Sequence, residues 1–148
     1  MEALAENRKA RFNYTILGAY EAGIELQGHE VKAVKAGRMN LGGAFGVVRG
    51  NEIWLLNADI APYQPGNTPK DYESSRPRRL LLHASEIREL IGKMKERRLT
   101  LLPLRAYTKS NLVKIELGLG RGKRGPDKRE AIKKRETRRE INRELKSR

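Results

Sequence analysis

Between Leu112 and Leu119 the chain alternates strictly. Val113, Ile115, Leu117 and Leu119 are apolar, and Lys114, Glu116 and Gly118 fall between them. A two-residue period buries one face of a strand and leaves the other open. Leu99–Tyr107 forms a second apolar run, and Thr108–Asn111 joins the two strands. A weaker alternation runs from Phe12 to Leu26 through Tyr14, Ile16, Gly18 and Tyr20, continued by Ile24 and Leu26. It predicts another half-buried strand. Residues 1–11 read as a short leader, made basic by Arg8, Lys9 and Arg11.

The period changes at Gln27–Ala36. Val31 and Val34 lie three apart among Glu30, Lys32 and Lys35, with Gly28 and Gly37 on either side. This predicts a helix of two to three turns that stops at a glycine. Ala44–Arg49 and Glu52–Leu56 read as strands of a hairpin turning on Gly50-Asn51, two residues that tolerate positive φ. Asp59–Tyr63 suits a further short strand. Pro62, Pro65, Pro69 and Pro77 then punctuate a long loop. After the apolar run Arg79–His83, the spacing of Ile87, Leu90, Ile91 and Met94 predicts an amphipathic helix to about Arg98. Ser85 is the expected N-cap. Arg88 would then stand where a capping box needs glutamate.

About six short strands, two or three helices and no βαβ alternation define a mainly β fold built on an antiparallel sheet. A closed barrel removes the exposed edges of such a sheet, and oligonucleotide-binding (OB-type) barrels fall in this size range. The expected organisation is a leader over 1–11, a barrel over 12–120 and a tail over 121–148.

Charge sharpens the picture of the tail. The 148-residue chain has a formal net charge of +14. Residues 121–148 carry 13 basic and 5 acidic side chains, against 19 and 13 in the first 120. Such a cationic segment attracts polyanions and does so less as salt rises. Acidic membranes are the other polyanion, but the tail offers only Ala131, Ile132, Ile141 and Leu145 for insertion. Gly120, Gly122, Gly125 and Pro126 suit a hinge, and Asp127 can cap a helix from Lys128 onward. On that helix Glu136, Glu140 and Glu144 form one stripe and Arg135, Arg139 and Arg143 the next. A helix of this kind is marginal in water, so the reading is disorder when free and helix on a polyanion.

The chain has no cysteine, which excludes disulfides, thiolate nucleophiles and cysteine zinc sites. His29 and His83 lack partners at metal or catalytic spacing. Asp71 and Glu73 are an isolated acidic pair in the loop. Gly42-Gly43-Ala44-Phe45-Gly46 lacks the lysine of a phosphate-binding loop. The expectation is no enzyme activity, no cofactor and no metal. The first residues lack the apolar core of a secretory signal, and no apolar run spans a bilayer, so the expected compartment is the cytoplasm. From these residues alone a ribosomal-type RNA-binding protein and an RNA-processing enzyme remain open alternatives.

Short strings in a fixed order bear on that choice and give the leading reading. They include Asn7-Arg8-Lys9-Ala10, Tyr20-Glu21-Ala22-Gly23-Ile24, Gly28-His29-Glu30-Val31-Lys32 and Asn40-Leu41. Ile60-Ala61-Pro62-Tyr63, Arg78-Arg79-Leu80-Leu81-Leu82-His83 and Gly122-Lys123-Arg124 with Asp127-Lys128-Arg129 follow. Over roughly residues 7–135 the chain resembles the SsrA-binding (small protein B) family. The resemblance implies a six-stranded antiparallel OB-type barrel with flanking helices. It implies binding to the tRNA-like domain of transfer-messenger RNA and delivery of that RNA to stalled bacterial 70S ribosomes. There trans-translation tags the incomplete chain. Elongation factor Tu and alanyl-tRNA synthetase are implied as indirect partners through the RNA, and the protein as a monomer.

The family's RNA-facing positions fall on Tyr14, Glu21, Leu81 and Lys114. Arg11, Lys32, Arg79, Lys123 and Arg124 are the cations suited to phosphate contacts. The family's ribosome-active tail falls on Asp127, Lys128, Arg129, Ile132, Lys133, Lys134 and Arg135, entering the empty mRNA channel near the decoding centre. Phe12 stands where relatives often carry histidine, so stacking replaces a polar contact there.

Overall fold

The computed structural model describes residues 3–123. In chain order these form β1 (Ala3–Glu6), α1 (Arg8–Asn13), β2 (Tyr14–Ile24), α2 (Gly28–Lys35), β3 (Met39–Asn40), β4 (Phe45–Arg49) and β5 (Glu52–Leu56). They continue with β6 (Asp59–Ile60), β7 (Arg78–Leu81), α3 (Ala84–Arg97), β8 (Thr100–Lys109) and β9 (Leu112–Gly122).

Six of the strands pair in a ring, all antiparallel. β2 pairs with β9 and β7, β7 with β5, β5 with β4, β4 with β8, and β8 with β9. This is the expected six-stranded OB-type arrangement. β8 takes a third neighbour, because β1 pairs with its far half at Arg105–Tyr107 while β4 meets it at Leu101. β3 and β6 make a separate two-stranded ladder. The β8–β9 hairpin turns through Ser110 and Asn111, both at positive φ, which matches the right-handed twist of the strands it joins.

The core is continuous. Ile53, Leu55, Leu80, Leu101, Ile115, Leu117 and Leu119 meet inside the barrel, and Val34 of α2 and Leu90 of α3 join them. Removing such a side chain from water contributes about 1.5–3 kcal/mol. The alternation in β9 is therefore read correctly from the sequence. The helix expected over Gln27–Ala36 is α2.

Four expectations change. The first eleven residues do not stand apart as a leader. β1 extends the sheet, and Asn7 anchors α1, its Oδ1 accepting from the Ala10 N–H at 3.2 Å. The Asn7 Nδ2 donates to the Pro103 carbonyl at 2.8 Å, and the side chain is buried. Phe12 and Asn13 belong to this helix, so the strand expected from Phe12 begins at Tyr14. The barrel does not end at residue 120, since Arg121 and Gly122 still pair with Thr15 and Tyr14. Finally, α3 starts two residues early, at Ala84. His83 is its N-cap, and the Glu86 carboxylate accepts the His83 N–H at 3.2 Å, so a reciprocal glutamate is present after all.

Nor do Tyr14, Ile16, Gly18 and Tyr20 share one face. The β2–β9 register slips between Ile16 and Gly18, and the β8–β9 register slips between Pro103 and Arg105. Each slip is a bulge that turns the following side chains over. Tyr14 and Ile16 consequently pack outside the barrel with Leu102, Leu104 and Ala10 of α1. The floor of this outer cluster is bare backbone. A Cβ on Gly118 would lie 2.8 Å from Leu104 Cδ1, and one on Gly120 would lie 2.8 Å from Leu102 Cδ1.

The proline-rich loop is fastened by a buried carboxylate. Glu30 of α2, with no exposed surface, accepts from Arg78 Nη2 at 2.6 Å and Nε at 2.8 Å, and from Arg76 and the Tyr72 hydroxyl. It also accepts the Gln27 N–H at 2.8 Å, closing the first turn of α2. Arg78 spends its other donors on the Ala58, Ser74 and Arg76 carbonyls. Burial opposes ionisation of Glu30. The donors from Arg76, Gln27 and Arg78 together outweigh it and hold the carboxyl below its ordinary range.

Candidate nucleic-acid interface

The outer side of β2, β7, β8 and β9 gathers the polar side chains that strand alternation turns away from the core. Gly23 pairs with both Leu81 of β7 and Lys114 of β9. Glu21 lies two residues earlier on the same side, opposite Glu116. The three residues the family resemblance marks on different strands, Glu21, Leu81 and Lys114, thus converge around one glycine. Leu81 is 43% exposed although it sits among charges.

Glu21 is held from the side. The Tyr107 hydroxyl donates to its Oε2, and Lys109 Nζ lies 3.3 Å from its Oε1. The Tyr107 hydrogen bond keeps the Glu21 carboxyl below its ordinary range against partial desolvation, and Lys109 and Lys114 act in the same direction. Burial, and then the bond to Glu21, push the Tyr107 phenol up to about 12. The Arg105 guanidinium lies 4.7 Å from the Tyr107 ring centroid. It also meets Glu116 at 3.3 Å, and Glu116 meets Arg11 of α1 at 3.1 Å. A line of alternating charges therefore runs from α1 to Glu21 along the outer side of the barrel.

Arg79 shares this side with Leu81, two residues away on β7. It pairs with Glu52 at 2.8 Å and Glu25 at 3.7 Å. Lys123 lies at the opposite end, with Nζ 5.9 Å from the centroid of the 77%-exposed Phe12 ring. Its backbone N–H donates to the Asn13 carbonyl at 3.0 Å. Tyr14 is half-buried in the outer apolar cluster and abuts Gly120. Lys32 is placed elsewhere. It lies on α2, lining a groove with His29, Tyr63, Gln64 and Asn67. Arg124 and the tail positions Asp127, Lys128, Arg129, Ile132, Lys133, Lys134 and Arg135 fall outside the described residues, as do the expected hinge end and helix stripes.

Sequence reasoning missed Gly23, Tyr107, Lys109, Arg105 and Glu116 as members of this face. Tyr107 and Lys109 are more than eighty positions from Glu21, and only strand pairing unites them. The signal that was available is the polar set within the β9 alternation, Lys114 and Glu116. Among the described residues no cluster of three or more metal-ligating side chains occurs, and no helix is long and apolar enough to cross a membrane.

A small antiparallel barrel that presents cations, a fixed carboxylate and an exposed apolar side chain on one wall belongs to the RNA-binding OB-type class. The comparisons with known proteins specify the class. The family model described as "SmpB protein" matches residues 4–147. The chain is 49% identical over 143 residues to the SsrA-binding protein of Trichodesmium erythraeum (strain IMS101), covering 97% of this chain and 92% of that one. It is 50% identical over 145 residues to the SsrA-binding protein of Carboxydothermus hydrogenoformans, covering 98% and 97%. A solved chain described as "tmRNA-SmpB: a journey to the center of the bacterial ribosome" is 44% identical and superposes with a TM-score of 0.69. That match covers 86% of this chain and 92% of the solved one. The chain belongs to the SmpB family.

Proposed function

We propose that this protein binds transfer-messenger RNA and delivers it to stalled ribosomes for trans-translation. The contact is made with the tRNA-like domain of the RNA, through the wall around Gly23. The observation that carries the reading is the convergence of Glu21, Leu81 and Lys114 on one exposed face of a barrel whose family is SmpB. Lys114, Lys109 and Arg11 supply positive charge for phosphates, while Glu21 accepts hydrogen bonds from base or ribose donors. The basic segment after Lys123 enters the empty mRNA channel near the decoding centre. Elongation factor Tu and alanyl-tRNA synthetase meet the protein only through the RNA. The protein acts as a cytoplasmic monomer without catalytic activity of its own.

Sequencing the RNA that copurifies from native cells tests the first part. Transfer-messenger RNA is expected to dominate, and a pool of ribosomal RNA without it would overturn the reading. A chain ending at Gly125 tests the second. It is expected to bind transfer-messenger RNA as the full chain does and to support no tagging of stalled products.

A further inference from the structure

The chain reads Arg78-Arg79-Leu80-Leu81 through β7, and Leu82 follows at once. Register in a sheet is ordinarily set by which face of a strand is apolar, and a slip of one residue exchanges the faces. In β7 that signal is weak. If each residue moved one place back, Leu81 would take the buried place of Leu80, Leu82 the outward place of Leu81, and Arg79 the buried place of Arg78. The opposite slip would drive Arg79 into the core at Leu80 and excludes itself. The ladders on either side are short, with two residue pairs to β2 and three to β5. A feature outside the leucines has to choose.

Two arginines spaced two apart make the choice. Arg78 is fully buried and donates to Glu30 Oε2 through Nη2 at 2.6 Å and through Nε at 2.8 Å. Arg76, on the loop before β7, reaches the same carboxylate, through Nε to Oε2 at 3.2 Å and through Nη2 to Oε1. After the slip Arg79 would replace Arg78, but Pro77 would stand where Arg76 stands, and a proline side chain brings no donor. Oε1 would lose its arginine inside a site where Glu30 has no exposed surface. A buried carboxylate left short of partners is costly. We propose that Glu30 and Arg76 pin the register of β7, and so decide that Arg79 and Leu81 face outward to the RNA. Both act through the strand and are positioning residues. The proposal rests on the reading of the wall around Gly23 as the RNA-binding face.

The outward side of β7 does not hold the register by itself. Arg79 pairs there with Glu52 at 2.8 Å, but both side chains are 41% exposed, and an exposed ion pair contributes little. Leu81 rests against Gly23, where a glycine Cβ would lie 3.3 Å from its own Cβ, and Leu82 would rest there equally well after the slip. The slipped wall would therefore still present a leucine beside Gly23. It would lose a cation, because Leu80 would take the place of Arg79.

The test uses the full chain with Arg76→Met, which keeps the bulk of the side chain and removes its donors while Arg78 stays on Glu30. The milder Arg76→Gln repeats every measurement if methionine prevents folding. In nuclear magnetic resonance spectra of Arg76→Met, contacts between Gly23 and Leu82, absent from the wild type, are expected to appear beside those between Gly23 and Leu81. Affinity for the tRNA-like fragment of transfer-messenger RNA is expected to fall roughly two- to fivefold, with a shallower dependence on salt, as a share of the molecules loses Arg79 from the wall. Leu81→Ala and Leu82→Ala are then measured in both backgrounds. In the wild type only Leu81→Ala is expected to weaken binding. With Arg76→Met, Leu82→Ala is expected to weaken it as well, by about twofold or more, and Leu81→Ala to cost less than before. If Arg76→Met shows only the Gly23–Leu81 contacts, or if Leu82→Ala stays silent in both backgrounds, the register pin is wrong and the RNA-face reading stands. If Leu81→Ala binds as the wild type does, the face itself is misassigned.

Discussion

Two glutamates in this molecule keep similar company and serve different ends. Glu30 and Glu21 each accept from a tyrosine hydroxyl and from cationic side chains, and each is held below the ordinary carboxyl range. Glu30 is sealed. Two arginines, a tyrosine and a backbone N–H saturate it, and it joins α2 to the proline-rich loop. Glu21 lies open at the barrel wall with acceptor capacity to spare. One constellation becomes a structural fastening when its lone pairs are all used inside. In the proposed function it becomes a recognition group when some are left facing water.

The largest effect separating the two is expected at Glu30. Glu30→Ala strands the fully buried Arg78 without its counter-charge and should lower stability by about 3–5 kcal/mol in chemical denaturation. An unfolding midpoint equal to the wild type would break the comparison. Glu21→Ala should do the reverse, leaving that midpoint in place and weakening transfer-messenger RNA binding roughly tenfold or more. Lys114→Ala should also weaken binding and reduce its dependence on salt by about one phosphate contact, which Glu21→Ala should not do.

Tyr107→Phe is expected to act between these poles. It frees Glu21 to rotate, so RNA affinity should fall by less than for Glu21→Ala, with the salt slope unchanged.

The smallest effects are in pH. Because Glu30 titrates below its unfolded value, its contribution is complete above the ordinary carboxyl range near 4.5 and is lost as pH falls through the depressed value. Glu30→Gln should remove that part of the acid sensitivity seen in denaturation curves. Tyr107 is raised, so its contribution is whole below pH 10 and is lost as pH rises through about 12. Phenolate absorbance should show one tyrosine titrating late, and Glu21→Ala should bring it earlier.

Local patterns predicted local structure well. The β9 alternation, the Gly50-Asn51 turn and the apolar stripe of α3 needed only neighbours in sequence. What was missed depends on distant partners. Asn7 is a good N-cap residue, yet α1 was not expected, because its other bonds go to Pro103 and Leu104. The N-cap of α3 is histidine, outside the usual capping set, which hid Glu86. The bulges at Leu17 and Leu104 exist only between strands, so the apparent single face of Tyr14–Tyr20 was an artefact of reading one strand alone. Glu30, Arg76 and Arg78 are 46 and 48 residues apart and leave no periodic trace. Glu21, Leu81 and Lys114 came from the family resemblance, and the sheet register explains why they belong together.

The way β9 is held has a mechanical consequence. It is laced to β2 on one side and to β8 on the other along nearly its whole length, and the residue after it is tied to the end of α1. A pull on the following segment, directed along the strand, would load both ladders at once in shear instead of peeling one bond at a time. The barrel is thus a firm anchor for the segment that follows Lys123. Tension arising there would reach α1 and the opposite wall before any strand lets go.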